Sequence, residues 1–510
     1  MTIPLTQLAA PRTGPARFRG RDAFRSGSPY YLLPFRFERF STDEVLLVNE
    51  AGEHIFLPAD DFARLTSHEL RPDDDAYLDL KGKHFLADSE SLVPLELLAV
   101  KARTKRAHLQ GFTKLHIFVV TLRCEHTCQY CQVSRVTQDR HRFDMTEATA
   151  RKAVAFAFRA PAERIKIEFQ GGEPLLNFDR IVQIVREAKA LAGATGRQVD
   201  FVVASNIALL TDDMLDFFRE EGVSLSISLD GPAFIHNANR PRPGGNSYEV
   251  TVLNLAKART ILGAERVAAL MTTTRLSLDH PREIVDEYAR QGFHAIFLRS
   301  LSPYGFALKT ARRIAYETDR FLSFYAAGLD RVIELNRGGY HLVEVYAQLL
   351  LRRILTPYAT GYVDLQSPAG AGIGVAVYNY DGDVYASDEG RMLAEMGDTR
   401  FRLGNLHRNS YAEVFGGEWL RELVESSCIE SLPGCSDCVF QPWCGADPVF
   451  NYATQGDIVG HRPDSDFHHR NAFVFRHLLE RYRSDEATRR VIWSWVRGTP
   501  SDELFPEAKT

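Results

Sequence analysis

Val120-Thr-Leu-Arg-Cys124-Glu-His-Thr-Cys128-Gln-Tyr-Cys131-Gln132 places three cysteines at C-x₃-C-x₂-C spacing. It directly follows an apolar run, Leu115 to Thr121, that reads as a buried strand. Three thiolates from one loop cannot complete a tetrahedral structural zinc site unaided. They can hold three irons of a [4Fe–4S] cluster and leave the fourth iron open. An open iron can take a substrate or a cofactor, so the spacing points to chemistry rather than scaffolding. A zinc site with a distant fourth ligand is the alternative that spacing alone leaves standing.

Outward from this loop, apolar segments recur at 165–169, 200–204, 223–229, 266–273 and 294–299, with helical patterns between them. In the helix expected over Thr146 to Arg159, Asp144 and Glu147 stand at capping-box spacing. Parallel strands need helical crossovers, so six βα alternations imply a parallel sheet. Six are too few for a closed eight-stranded barrel. An α/β fold with an open, partial (β/α)6 TIM-like barrel over 109–305 is expected, with ligands at the C-terminal strand ends.

Those strand ends carry polar residues. Gly171-Gly-Glu-Pro174 follows the second strand, where glycines let backbone approach a ligand and Glu173 can accept from an ammonium group. Ser205-Asn206 ends the third strand, and Ser226-Ile-Ser228-Leu-Asp230 runs off the fourth, with Arg240 beyond. Taken singly, these are equally turn residues and helix caps. Taken in order, the C-x₃-C-x-Tyr-C loop and these segments resemble the radical S-adenosylmethionine (SAM) enzymes. The resemblance implies that Cys124, Cys128 and Cys131 ligate a SAM-binding [4Fe–4S] cluster. It places Gly171, Gly172 and Glu173 at the SAM amino group. Ser205, Asn206, Ser226, Ser228 and Asp230 fall at its ribose and amino-acid moiety, and Arg240 at its carboxylate. Tyr130 and Arg299 fall near adenine. Reductive cleavage of SAM to a hydrogen-abstracting 5′-deoxyadenosyl radical is the activity it implies.

A second cysteine group follows the hairpin pattern Gly372 to Tyr385, whose turn is Asp381-Gly382. Its spacing is Cys428-x₆-Cys435-x₂-Cys438-x₅-Cys444-Gly-Ala-Asp447. This resembles the SPASM domain, an auxiliary-cluster extension of peptide-modifying radical SAM enzymes. A full SPASM domain holds two auxiliary clusters. Here Ser387 and Asp447 stand where cysteines of the first are expected, so the resemblance implies one auxiliary [4Fe–4S] cluster on Cys435, Cys438 and Cys444. Cys428 or His468 is its fourth ligand, and Cys428 is favoured because thiolate is the commoner ligand. A Cys₄ zinc is the alternative. The sulfatase-modifying relatives imply a catalytic base at Asp388, although Asp388 and Glu389 also read as turn residues.

Ahead of the barrel, 32–40, 44–52 and 54–57 read as three short strands, followed by a helix from Ala59. Residues 29–108 thus resemble small winged-helix-like β/α domains that capture leader peptides, or else form a plain packing domain. Residues 1–28 are arginine-rich and read as a disordered tail. Behind the barrel come a helical connection (306–365), the SPASM-like segment (366–470) and C-terminal helices (471–510). A stripe in the connection, Phe321, Phe324, Tyr325, Leu329, Val332 and Ile333, reads as core. Together with Tyr31-Leu-Leu-Pro-Phe-Arg-Phe37 and Leu47-Val-Asn-Glu-Ala-Gly52, the motifs look most like the B-type component of the His-Xaa-Ser system radical SAM maturases. That family implies a precursor peptide or small protein as substrate, an electron donor such as flavodoxin or ferredoxin, and a second radical SAM maturase as partner.

The 510 residues are 45% hydrophobic and 25% charged, an ordinary soluble composition. A net charge of −5 gives no reason to expect nucleic acid, and no apolar run reaches the roughly 18 residues that span a bilayer. All seven cysteines fall in two tight groups, of three and four, a pattern of metal or cluster ligation in a reducing cytoplasm rather than of disulfides. Radical SAM chemistry on a small molecule, and a zinc-stapled binding protein without catalysis, are the competing readings.

Overall fold

The computed structural model describes residues 30–88, 91–131 and 138–506, so the tail expected over 1–28 lies outside the described residues. The chain divides into two compact units, Met1–Val100 and Lys101–Thr510. In the first, Phe35–Arg39, Glu44–Asn49 and His54–Pro58 form an antiparallel sheet in chain order. Asn49 makes the turn between the last two strands. Its Oδ1 accepts from the Ala51 and Glu53 amides, and Gly52 takes a φ of 77°, which glycine adopts without strain. Helices Ala59–Thr66 and Asp75–Gly82 cover the sheet through Val45, Leu47, Leu57, Leu65, Tyr77 and Leu80.

The second unit is built on an eight-stranded sheet. Five strands are parallel neighbours in sequence order: Leu115–Thr121, Arg164–Gly171, Gln198–Ser205, Val223–Ser228 and Val267–Leu270. These coincide with the apolar segments read from the sequence. The sixth, Ala295–Ile296, is short and pairs with Val343–Glu344 rather than with the fifth strand. It stays beside the fifth through the Thr273 amide, which donates to the Arg299 carbonyl.

The other edge departs from a simple barrel. The hairpin strand Val375–Tyr378 pairs in parallel with Leu115–Thr121, and Asp383–Tyr385 and Arg402–Asn405 extend the sheet antiparallel. The first strand is therefore central, and it is buried from His116 to Thr121. His116, fully buried, contacts the Tyr378 hydroxyl at 3.1 Å and the Thr113 carbonyl at 3.1 Å. Burial lowers its pKa to about 3, so it is neutral in this junction.

Two local expectations change. Thr146, not Asp144, caps helix Glu147–Ala157, because Asp144 is drawn into an ion pair with Arg123. The helical connection is broken into Phe306–Ile314, Thr318–Arg337 and Val345–Leu355. The stripe from Phe321 to Ile333 is buried along the middle helix. Helices Asp466–Ser484 and Glu486–Arg497 pack against it. No helix among the described residues is long and apolar enough to cross a membrane.

Candidate active site

The cysteine loop leaves the central strand at Thr121, and its root is tightly fixed. Thr121 Oγ1 donates to Asp144 at 2.6 Å, and Arg123 reaches both Asp144 oxygens at 2.7 and 2.6 Å and the Leu176 carbonyl at 2.7 Å. Gly171 and Gly172 lie against this root, where the Gly172 and Glu173 amides donate to the Thr121 and Arg123 carbonyls. A Cβ on Gly171 would overlap the Thr121 carbonyl oxygen, and one on Gly172 would overlap those of Leu122 and Arg123. Close backbone packing thus requires both glycines, and both also border the cavity described next.

That cavity, about 640 Å³, runs along the parallel strands to their C-terminal ends. Cys124, Cys128 and Cys131 line it, all three free. Ser205, Asn206, Ser226, Ser228, Arg240, Arg299 and Asp388 line it too. The far side of the cysteine loop is strapped to 239–241, where the Thr127 and Gln129 amides donate to the Pro241 and Asn239 carbonyls. Tyr130 projects from the loop onto Asp230, 2.9 and 2.7 Å from its two oxygens. Arg240 grips the same carboxylate through Nε and Nη2 at 3.0 and 3.2 Å and stacks over the Tyr130 ring. Burial works against the Arg240 charge, but Asp230 and Tyr130 outweigh it and raise its pKa. Asp230 is fully buried and does not border the cavity, so it acts on Tyr130 and Arg240 from behind.

Glu173 is likewise fully buried. Its carboxylate accepts from Ser205 Oγ at 2.7 Å, the Asn206 amide at 2.9 Å and the Leu175 amide at 3.1 Å. Burial, then the nearby Glu125 charge, pushes its pKa up to about 8. Its contacts tie the second strand end to the third. Asn206 in turn approaches Cys124 Sγ with its side-chain amide at 4.0 Å.

Asp388 opens helix Asp388–Glu395 and pairs with the buried Arg391 at 2.9 Å. Ser387 caps that helix by accepting from the Gly390 amide, and Asp447 caps Pro448–Gln455 by accepting from the Phe450 amide. Both residues at the missing-cysteine positions thus do backbone work that a thiol does poorly.

In the second cysteine group, Cys435, Cys438 and Cys444 are close enough to act on one another electrostatically. Cys428 is placed differently. Its Sγ faces the Val424 carbonyl at 3.4 Å, and its charged neighbours are Glu430, Glu425 and Arg106. His468 contacts Arg462, which lies beside Cys435.

Sequence reasoning overlooked Lys166, Glu168 and Gln170, which line the cavity from the second strand. The signal was there: Ile165, Ile167 and Phe169 alternate with polar residues, a period of two that marks a polar lumen in a strand otherwise covered by helices. Glu389 and Asp447, read as a turn residue and as a missing-cysteine position, share a second cavity with Asp364, which sequence reasoning overlooked.

The donors fit an iron–sulfur cluster. Burial pushes the Cys124 thiol up and that of Cys128 to about 12, so these sulfurs become thiolates only against compensating positive charge. Among the described residues no three His, Cys, Asp or Glu side chains converge on one metal ion. A cluster offers a separate iron to each thiolate and does not require that convergence.

Comparison with known proteins agrees with the geometry. Residues 118–287 match the profile of the Radical SAM superfamily, so the chain carries a radical SAM domain. It is 28% identical over 189 residues to an uncharacterized protein of Methanocaldococcus jannaschii, covering 37% of this chain and 62% of that one. The chain thus spans less than two thirds of that relative's length. It is 22% identical over 352 residues to the serine-type anaerobic sulfatase-maturating enzyme of Bacteroides thetaiotaomicron, covering 64% and 80% of the two chains. In fold it is similar to anSMEcpe, solved with AdoMet and the Cp18Cys peptide: TM-score 0.59 at 17% identity, over 76% of this chain and 99% of that one.

Proposed function

We propose that this chain is a radical SAM enzyme that modifies a ribosomally made precursor peptide or small protein, assisted by one auxiliary [4Fe–4S] cluster. The observation that carries the reading is the meeting of three free cysteines, the Gly171–Gly172 turn and four polar strand-end side chains on one cavity. Cys124, Cys128 and Cys131 would hold the active cluster. When bound, that cluster and SAM supply a hydrogen-abstracting 5′-deoxyadenosyl radical.

The chain's own residues prepare the site. Ser205, Asn206, Ser226 and Ser228 offer hydrogen bonds to the ribose and amino-acid parts of SAM, with Glu173 orienting the first two. Arg240 has Nη1 left for the SAM carboxylate while Asp230 fixes its other nitrogens. Tyr130 and Arg299 would flank the adenine. Asp388, paired with Arg391 at the cavity wall, would accept a proton from substrate. Cys435, Cys438 and Cys444 would hold the auxiliary cluster, with Cys428 or His468 completing it.

A peptide substrate is supported by the Bacteroides relative, named for maturing sulfatases, and by the peptide solved with anSMEcpe. The three-stranded sheet of the first unit would serve as a winged-helix-like leader-binding module through its end strand, Phe35–Arg39. The finer likeness to the B-type His-Xaa-Ser maturases adds a second radical SAM maturase as partner. A flavodoxin or ferredoxin in a reducing cytoplasm would deliver the electron. The test is anaerobic reconstitution followed by assay for acid-labile sulfide, reductant-dependent 5′-deoxyadenosine, and a mass change in the short peptide encoded beside the gene. Zinc without labile sulfide would overturn the reading. Deoxyadenosine release with no change in any neighbouring peptide would favour a small-molecule substrate.

A further inference from the structure

A second, smaller cavity of about 80 Å³ shares Phe297, Arg299, Tyr362, Asp364 and Glu389 with the large one. Asp364, Glu389 and Asp447 meet on it, and no ion pair to any of them occurs among the described residues. The cationic groups facing it are Arg299 and Arg470. Arg470 is occupied, donating to Ser300 Oγ at 3.0 Å and lying over Phe450 and Phe467. Asp388 is the further acid beside Glu389, and it is paired with Arg391. Burial, then the neighbouring acids, pushes Glu389 up to about 8 and Asp447 up to about 7, while burial raises Asp364 against the Arg299 charge and a hydrogen bond from Tyr362.

An independent feature points to a missing occupant. Tyr304 lines the same cavity, is 2% exposed, and its hydroxyl has no hydrogen-bond partner among the described residues. A buried hydroxyl without a partner is costly unless a ligand supplies one. Among the described residues no three acidic side chains converge as a single metal ion requires. A compact ammonium, with three rotatable donors, can instead bridge carboxylates set apart around a chamber and donate to a tyrosine oxygen. Phe297, Tyr362 and Phe450 on the walls suit the methylene stem and the cation alike.

We propose that the Asp364–Glu389–Asp447 chamber is a subsite for a lysine-type ammonium side chain of the substrate. This rests on the peptide-maturase reading and sets where in the large cavity such a peptide is anchored. An ammonium entering the chamber displaces protons from the carboxyls, so binding is accompanied by proton release.

The test uses the anaerobically reconstituted full chain with SAM. Acetyl-Ala-Lys-Ala-amide and its neutral norleucine analogue are titrated by calorimetry in two buffers of different ionisation enthalpy. The lysine peptide should bind about tenfold tighter or more, as expected for charge-assisted hydrogen bonds, and release protons. Glu389→Gln, and Asp447→Asn, which keeps a cap at helix Pro448–Gln455, should each reduce the preference to below about threefold. Thermal unfolding and iron content serve as controls for folding. Equal affinity for the two peptides, no detectable binding of either, or a preference untouched by both substitutions would overturn the subsite. So would one Mn²⁺ bound per chain and lost in the same variants, which would make the chamber a metal site. Failure of the wild type to cleave SAM would count against the maturase reading alone, because the peptide titration is read separately.

Discussion

The two cysteine groups are held to different extents along their length. The 124–131 loop is strapped on every side: Asp144 and Arg123 fix its root, two glycines pack against its carbonyls, and 239–241 hold its far end. The 428–444 group is fixed at its ends, where the Ile429 amide donates to Ser367 Oγ and the buried Arg353 donates to the Trp443 and Cys444 carbonyls, while the turns that carry Cys435 and Cys438 bond within the group. Only three of its thiols neighbour one another, while Cys428 stays against the last turn of helix Glu418–Glu425. The first group is a frame built before its cofactor arrives. The second has the makings of a site completed by the metal, in which binding energy supplies part of the local order.

The contrast is broken or sharpened most strongly at the glycines. Gly172→Ala forces a Cβ into two backbone carbonyl oxygens that cannot yield, and a loss on the order of 4–5 kcal/mol is expected, with failure to load the first cluster. Gly456→Ala, at the end of helix Pro448–Gln455, meets nothing within 4 Å and strains only a φ of 75°, so about 1 kcal/mol is expected. Denaturant unfolding of the two variants compares them directly. Asp230→Asn comes next. It strands the buried Arg240 charge and frees Tyr130 between Cys128 and Cys131, and should cost about 3 kcal/mol while slowing cluster loading at the first site. The smallest effect is expected at Cys428. Cys438→Ser should remove about half of the total iron, as loss of one of two equal clusters requires, while Cys428→Ala retains more of it. Equal losses in the two variants would show that Cys428 swings in as the fourth ligand, and a large loss in His468→Ala would assign that place to the imidazole.

Legibility in the sequence followed the same divide. The five parallel strands and the cysteine loop are local features, written in apolar runs and fixed spacings, and they fall where expected. Ser205, Asn206 and Ser228, singled out at strand ends, line the large cavity. What escaped depends on contacts remote in sequence. Asp144 looks like a helix cap until Arg123, 21 residues earlier, claims it. Asp230 looks like a ligand group until Tyr130, 100 residues away, closes over it. The hairpin strand Val375–Tyr378 joins the barrel sheet through a buried His116–Tyr378 contact spanning 262 residues, which no local periodicity announces. The acidic chamber assembles from three segments, and neither the turn reading of Glu389 nor the missing-cysteine position of Asp447 announces that Asp364 lies beside them.

The central claim is that the pre-built cysteine loop is where SAM is cleaved. The direct measurement is 5′-deoxyadenosine released by the Cys124→Ala/Cys128→Ala/Cys131→Ala triple variant under anaerobic reduction, with iron and sulfide assayed on the same sample. Release should fall to background while the iron and sulfide of the auxiliary cluster remain. A triple variant that still produces 5′-deoxyadenosine at the wild-type rate would contradict the account.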